Sequence, residues 1–360
     1  MNPQEIRKAV VAGSWYSGDP VQLRKEITEY LDNTKIVQIK GEILALVSPH
    51  AGYVYSGFTA ANAYKQVQGK SYDAVIVIAP SHREMFQGVS VYNKDGYETP
   101  LGIVPVHQEI ANAIIDYHQS IRFTMEGHRE EHSLEIQLPF LQVAIPDLKI
   151  VPIVFWDHSW KNCQLIAEAI TRTVQDREVL IVASSDFYHG NSYQDCKKWD
   201  NRTLKQIVEM NPKKLCSGFE RQHLMACGGG GIVVAQQVAI NLGADRTEVV
   251  YQTNSNDVTG TRGGYVVGYA AVVIYKRGDA DEKPEVGVDS ELSDDEKAAL
   301  LKIARLSIRN ALDGKKPPQA EFKFPLFKQK RGAFVTLNKR GMLRGCIGYV
   351  QAFKSLEETI

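Results

Sequence analysis

Near-continuous apolar runs, separated by stretches with helical periodicity, constrain this chain more than any other feature. The runs are Ile43–Ser48, Asp73–Ala79, Lys149–Phe155, Glu178–Ser184 and Tyr265–Tyr275. A strand that is apolar along its whole length is buried on both faces, as in parallel sheets covered by helices. Between and around the runs lie helical patterns at Val21–Leu31, Phe58–Val67, Glu131–Val143, Trp160–Val174, Tyr193–Met210 and Ile232–Leu242. Strands alternating with helices at this spacing predict a layered α/β fold, with a largely parallel sheet flanked by helices.

The alternation stops near residue 276. Residues 277–292 (RGDADEKPEVGVDSEL) are acidic and contain no aromatic residue, which is the composition of a solvated linker. Ser293 and Glu296 then have the spacing of a capping box, and the apolar positions after them recur at helical spacing as far as Gly314. Ala333–Leu337 reads as a strand, LRGCIGYV follows it, and SLEETI begins another helix. The expected division is therefore 1–276, a linker at 277–292, and 293–360 as a partial α+β domain too short for a full core.

With Lys+Arg 42 against Asp+Glu 42, the chain has no basic excess to bind nucleic acid or an anionic membrane. No apolar stretch approaches membrane-spanning length, and the first residues do not read as a secretory signal. The five cysteines are scattered, without a disulfide framework or a zinc-type pairing. A cytoplasmic protein with reduced thiols is expected.

Chemistry gathers where the apolar runs stop. They end in Pro49-His50-Ala51-Gly52-Tyr53, Pro80-Ser81-His82-Arg83-Glu84, Trp156-Asp157-His158 and Ser185-Asp186-Phe187-Tyr188-His189. In open α/β sheets the carboxyl ends of the strands line the ligand crevice, so these groups should converge. One such histidine is usually a turn cap. Several after independent strands point to a site. Imidazoles with a carboxylate suit a borderline first-row metal. Two histidines and one carboxylate fit Fe(II), and a cysteine in place of the carboxylate favours Cu(I) or zinc.

Cys227 is the candidate cysteine. It precedes four glycines and a helix expected to start near Ile232, where the helix dipole would favour a thiolate and glycine would let the backbone approach a ligand. The plainer readings are a small buried residue and a flexible turn. A phosphate cradle is a weaker reading, because the glycines lack dinucleotide-binding spacing. Cys163, Cys196 and Cys216 are assigned to packing. Glu131, His132 and Glu135 open another helix, on which His132 and Glu135 share a face. That face is either solvated or turned toward the strand ends, with His132 a supporting or substrate-contacting residue. His107, His118, His128 and His223 have no supporting pattern and read as surface or satisfied core residues.

Several stretches together resemble the Memo family, known in bacteria and archaea as AmmeMemoRadiSam system protein B. They are Val10–Pro20, Val47–Gly57 (VSPHAGYVYSG), Ala79–Glu84 (APSHRE), Glu130–Gln142 (EEHSLEIQLPFLQ), Ser184–Gly190 (SSDFYHG) and Ala226–Ile232 (ACGGGGI). The family is similar in fold to class III extradiol dioxygenases, which hold non-haem iron. The resemblance implies His50, His82 and Cys227 as metal ligands, with Asp186 and His189 at the associated positions. It leaves His132 as a further catalytic candidate, and Glu131, Glu135 and Tyr53 as residues that support the site from behind. Two departures stand out. Gly228 replaces the arginine usual after the cysteine, and Trp15-Tyr16-Ser17 replaces Phe-Tyr-Pro. Gly332–Val350 and SLEETI resemble the AMME-syndrome candidate-region family, AmmeMemoRadiSam system protein A. Such neighbours imply a radical S-adenosylmethionine enzyme as a pathway partner.

The leading expectation is an oxidoreductase that uses Fe(II) or copper, with zinc less favoured, and acts on a small-molecule or peptide ligand. An alternative is a non-catalytic ligand-binding scaffold with a vestigial site. A third reading is a hydrolase with Cys227 as nucleophile, which needs a histidine within hydrogen-bond reach.

Overall fold

Each apolar run becomes a strand of one nine-stranded sheet. The computed structural model describes residues 5–261 and 263–278, and beyond them 294–316, 324–328, 333–339, 342–349 and 355–356. The chain divides into two units, Met1–Gly278 and Asp279–Ile360.

The first unit begins with β1 (Ile6–Arg7), α1 (Pro20–Asp32), β2 (Gly41–Ser48), α2 (Tyr53–Tyr64), β3 (Ala74–Pro80) and β4 (Val89–Val91). It continues with β5 (Gly96–Thr99), β6 (Gly102–Pro105), α3 (Gln108–Ile115), β7 (Ile121–Arg122), α4 (His132–Glu135), α5 (Leu138–Ala144) and β8 (Ile150–Phe155). Then come α6 (Trp160–Thr173), β9 (Val179–Ser184), β10 (His189–Gly190), α7 (Tyr193–Val208), α8 (Pro212–Glu220), α9 (Gly229–Asn241), β11 (Arg246–Asn254), α10 (Ser255–Thr259) and β12 (Val266–Arg277).

The main sheet runs β10-β12-β2-β9-β3-β8-β4-β7, and β11 pairs with β12. Its centre, β2-β9-β3-β8, is parallel throughout. Leu46, Ile76, Val151 and Ile181 in those strands have no exposed surface. The margins are antiparallel, at β12–β2 and β8–β4. Between β11 and β12 the connection is too short for the crossover that a parallel pair requires, so the two strands run antiparallel. Register places Ser48 beside Ser184 and Pro80 beside Phe155, so the central strands end level and present their loops on one rim.

Local differences from the sequence expectation have clear causes. The helix expected over Glu131–Val143 is two helices, because Pro139 has no N–H to return to the Glu135 carbonyl. Helix α9 begins at Gly229, inside the glycine run rather than after it. Strand β11, the small sheet β1-β5-β6, and helices α3 and α8 have no counterpart in the sequence reading. β11 mixes polar and apolar side chains and is only half-buried, so it carries no continuous apolar run.

The second unit has its own helix α11 (Asp294–Leu312) and an antiparallel hairpin of β13 (Ala333–Lys339) and β14 (Met342–Tyr349). Leu300, Ile303, Phe327 and Leu356 form a small buried cluster. The expected Ser293 cap, nearly all of the 277–292 linker and most of SLEETI lie outside the described residues. Among the described residues, no helix is long and apolar enough to cross a membrane.

Candidate metal centre

His50 follows the end of β2 and is 2% exposed. Its backbone N–H donates to Asp186 Oδ1 at 2.7 Å, which fixes the loop. Its Nδ1 lies 3.0 Å from Ser184 Oγ, at the end of the neighbouring strand β9. That hydroxyl donates its single hydrogen to the Ser133 carbonyl and accepts from Gln137 Nε2 at 2.8 Å. The Gln137 amide is itself oriented, because its Oε1 accepts from Tyr64 Oη at 2.6 Å. With the Ser184 hydrogen committed, Nδ1 of His50 must be the donor, and its Nε2 carries the ring's lone pair. Burial above all, then the neighbouring His82, His132 and His189, hold His50 well below its usual pKa, so it stays neutral.

His82 is oriented by a different acceptor. It follows β3, and its Nδ1 lies 3.0 Å from Glu131 Oε1. The His82 backbone N–H donates to the other oxygen of Glu131. Glu131 also caps α4 by accepting from the Ser133 N–H at 3.0 Å. Burial pushes this carboxyl upward, but the His82 hydrogen bonds and the neighbouring imidazoles outweigh it and bring its pKa to about 2. An ionised carboxylate only accepts, so Nδ1 of His82 donates and Nε2 is left free. A carboxylate behind a histidine in this way is the usual support of a metal-binding imidazole.

His132 completes the group. Its ring stacks on His82 at 4.8 Å between centroids and lies 4.3 Å from Trp15. Its Nδ1 is 3.2 Å from Glu131 Oε1, yet it is buried and makes no hydrogen bond. Burial first brings His132 down to about 4, so it too is neutral. One ring nitrogen from each of His50, His82 and His132 falls within 4.8 Å of the others, a group that can hold a metal ion. Lone pairs aimed from fixed rings, together with an orphaned buried nitrogen, fit a cation better than a satisfied core.

Cys227 joins through His50. Its Sγ lies 2.9 Å from His50 Nε2 and accepts the Asp186 N–H at 3.1 Å. The thiolate expected from the helix dipole is opposed by the surroundings of the sulfur. Burial, then the Asp186 charge, pushes the thiol far up. The glycines are also explained differently. A Cβ on Gly228 would stand 2.2 Å from the Ser184 carbonyl oxygen, and one on Gly230 would stand 2.7 Å from the His158 ring. The run therefore lets α9 press against the strand ends, not against a ligand, and Gly228 is dictated by that approach.

The remaining candidates separate clearly. Asp186 is buried at the site, and burial raises its carboxyl to about 7 despite the His50 N–H. His189 lies at the mouth, with Nδ1 3.3 Å from Tyr265 Oη. Glu135 instead binds the N-terminal segment, through Arg7 Nη1, the Val10 and Val11 N–H groups and Tyr16 Oη. Tyr53 donates to the Ile136 carbonyl at 2.9 Å and packs on Phe140. His158 does not converge with the others, for its ring packs against Phe155 and Gly230. His128 is a satisfied core residue, closed by Tyr97 Oη at 2.6 Å and Ser90 Oγ at 2.9 Å. The sequence reading did not single out Ser184, Gln137 and Trp15 as site residues. Ser184 and Gln137 stand in the same motif stretches as His189 and His132, and Trp15 in the Val10–Pro20 stretch, which was the available signal. The three histidines, Asp186 and His189 open into a cavity of about 580 Å³ walled by Trp15, Tyr55, Tyr265 and Tyr269.

A helix-flanked sheet with three histidines gathered at one rim, a group that can hold a metal ion, defines the class as an α/β protein with a candidate metal site. The Memo-like protein family matches residues 7–273, and the AMMECR1 family matches residues 301–360. A MEMO1 family protein of Nitrosopumilus maritimus is 35% identical over 272 residues, covering 74% of this chain and 98% of that protein. One from Aeropyrum pernix is 34% identical over 280 residues, covering 74% and 99%. One from Methanothermobacter thermautotrophicus is 30% identical over 274 residues, covering 74% and 99%. The chain belongs to the Memo-like family.

Proposed function

We propose that the chain is an iron- or copper-dependent oxidoreductase related to class III extradiol dioxygenases. The carrying observation is the group of three histidines, two with Nδ1 held by fixed partners, at the floor of an open cavity. His50, His82 and His132 would hold the ion, with Cys227 beside His50. Bound there, a first-row ion supplies a Lewis-acidic redox centre with positions open to substrate. The protein's own contribution is orientation and proton handling. Trp15 covers His132, and the tyrosine walls favour a flat, largely apolar ligand. Asp186 titrates near neutrality while binding the His50 loop, so it can hold or release a proton beside the ligand. His189, anchored at Nδ1 by Tyr265, is placed to exchange a proton at Nε2. A radical S-adenosylmethionine enzyme remains the proposed pathway partner, and the cytoplasm the proposed location.

A metal-replete sample tested for oxygen uptake with catechols should turn over, and chelation should abolish the turnover. No uptake with a full complement of metal supports the non-catalytic scaffold instead. The 2.9 Å contact between Cys227 and His50 favours a Cys–His hydrolase in one respect. Burial opposes it by keeping the thiol protonated. Alkylation of Cys227 that is unaffected by added metal would revive that reading.

A further inference from the structure

The sequence left Cys163 and Cys216 as packing residues, but the fold brings them together. Cys163 is in the first turn of α6 and Cys216 in the middle of α8, and both are buried. The Sγ of each lies 3.5 Å from one atom, the carbonyl oxygen of His158. Cys163 Sγ also lies 3.7 Å from the Gly230 carbonyl, and Cys216 Sγ 3.9 Å from Glu220 Oε1. None of these contacts involves the three histidines, and neither sulfur is used in the proposed chemistry.

We propose that Cys163 and Cys216 form a redox-modification site, a dithiol that a peroxide oxidises to an internal disulfide. The two sulfurs converge on one carbonyl, and their thiols also act on each other through a side-chain hydrogen bond, so a disulfide between them would tie α6 to α8. The reaction balances in two steps. Cys216 sulfur attacks one peroxide oxygen, the O–O bond breaks, and the other oxygen leaves as water or an alcohol. The Cys163 sulfur then displaces hydroxide from the sulfenic acid, forming the S–S bond and releasing water. Overall, two thiols lose two protons and two electrons to one peroxide.

The order of attack has a basis in the site. The Cys163 thiol, as the first influence, holds the Cys216 thiol below its usual value. Cys216 and burial push Cys163 well up. The more acidic thiol is the better attacking group. Both sulfurs are buried, and the route we assign to the peroxide is a neighbouring cleft of about 760 Å³ whose lining includes His158 and Glu220, two of the residues that contact them. The consequence reaches the metal side of the domain. Phe219 on α8 packs against Gly229, two residues from Cys227, so a fixed α8 would stiffen that loop.

The test is peptide mapping of the full chain after hydrogen peroxide treatment, with alkylation of remaining thiols before digestion without reductant. A cross-linked peptide pair carrying Cys163 and Cys216 is expected, and free thiols in denaturant should fall by two of the five cysteines. The cross-link should be absent in Cys163→Ser and Cys216→Ser and retained in Cys196→Ser. Recovery of both residues as alkylated thiols, their separate over-oxidation, or a bridge from either to another cysteine would overturn the proposal. The wild-type map alone decides the matter if a serine variant fails to fold.

Discussion

Two buried carboxylates flank the short helix α4, four residues apart, and do different work. Glu135 meets a permanent cation, Arg7, together with two backbone N–H groups and a tyrosine hydroxyl. Every partner is consumed, and the result is a fastened N-terminal segment. Glu131 meets His82 and His132, whose rings have a second nitrogen to offer elsewhere. The histidines repeat the contrast. His128 is closed at both nitrogens, whereas His132 has a buried Nδ1 without a hydrogen bond. Burial alone therefore does not mark a site. Residual valence does.

The largest effect expected from this contrast is on stability. Glu135→Gln leaves Arg7 charged, buried and short of a partner, so chemical unfolding should show a loss of about 3–5 kcal/mol. Metal affinity in the surviving folded protein should change little. Glu131→Gln should do the reverse, with metal affinity falling about 10–100-fold by chelator competition while the fold persists. Equal losses of stability and affinity in both variants would dissolve the distinction.

Acid sharpens the comparison at the histidines. His128 is held neutral in the fold by burial, first of all, with a pKa of about 3 against an ordinary 6.5. The unfolded chain takes up that proton first, so stability is complete above pH 6.5 and declines as pH falls toward 3. His128 alone accounts for about 2 kcal/mol of loss by pH 5. His132 acts in the same sense, with a pKa of about 4. Asp186 at about 7 and Asp200 at about 6 act in the opposite sense, because burial raises them. A His128→Gln variant should therefore show a shallower acid slope in thermal unfolding than wild type. An unchanged slope would remove His128 from the account. The smallest effect concerns Ser184. Ser184→Ala removes the acceptor that sets the His50 tautomer, at about 1 kcal/mol, or roughly fivefold in metal affinity.

Much of this was legible in the chain. Continuous apolar runs announced the central parallel strands, and His50, His82 and Asp186 stood at their ends, where such sheets place ligands. The exceptions follow from what periodicity does not encode. His158 also follows a strand but is packed against Gly230, a contact set by tertiary approach. Glu131 and Glu135 look alike in sequence, and only the fold reveals that one faces Arg7 and the other His82. The Cys227 thiolate expected from helix geometry is opposed by desolvation, a quantity that sequence spacing does not contain. Cys163 and Cys216 are far apart in sequence and meet only because α6 and α8 share the His158 carbonyl.

The central claim is that His50, His82 and His132 hold a metal ion. Elemental analysis of anaerobically purified full-length protein, with His50→Ala purified in parallel, tests it most directly. The account predicts stoichiometric iron or copper in the wild type and its loss in the folded variant. A wild type without stoichiometric metal even after reconstitution with iron or copper, or a variant that keeps its full complement, would contradict it.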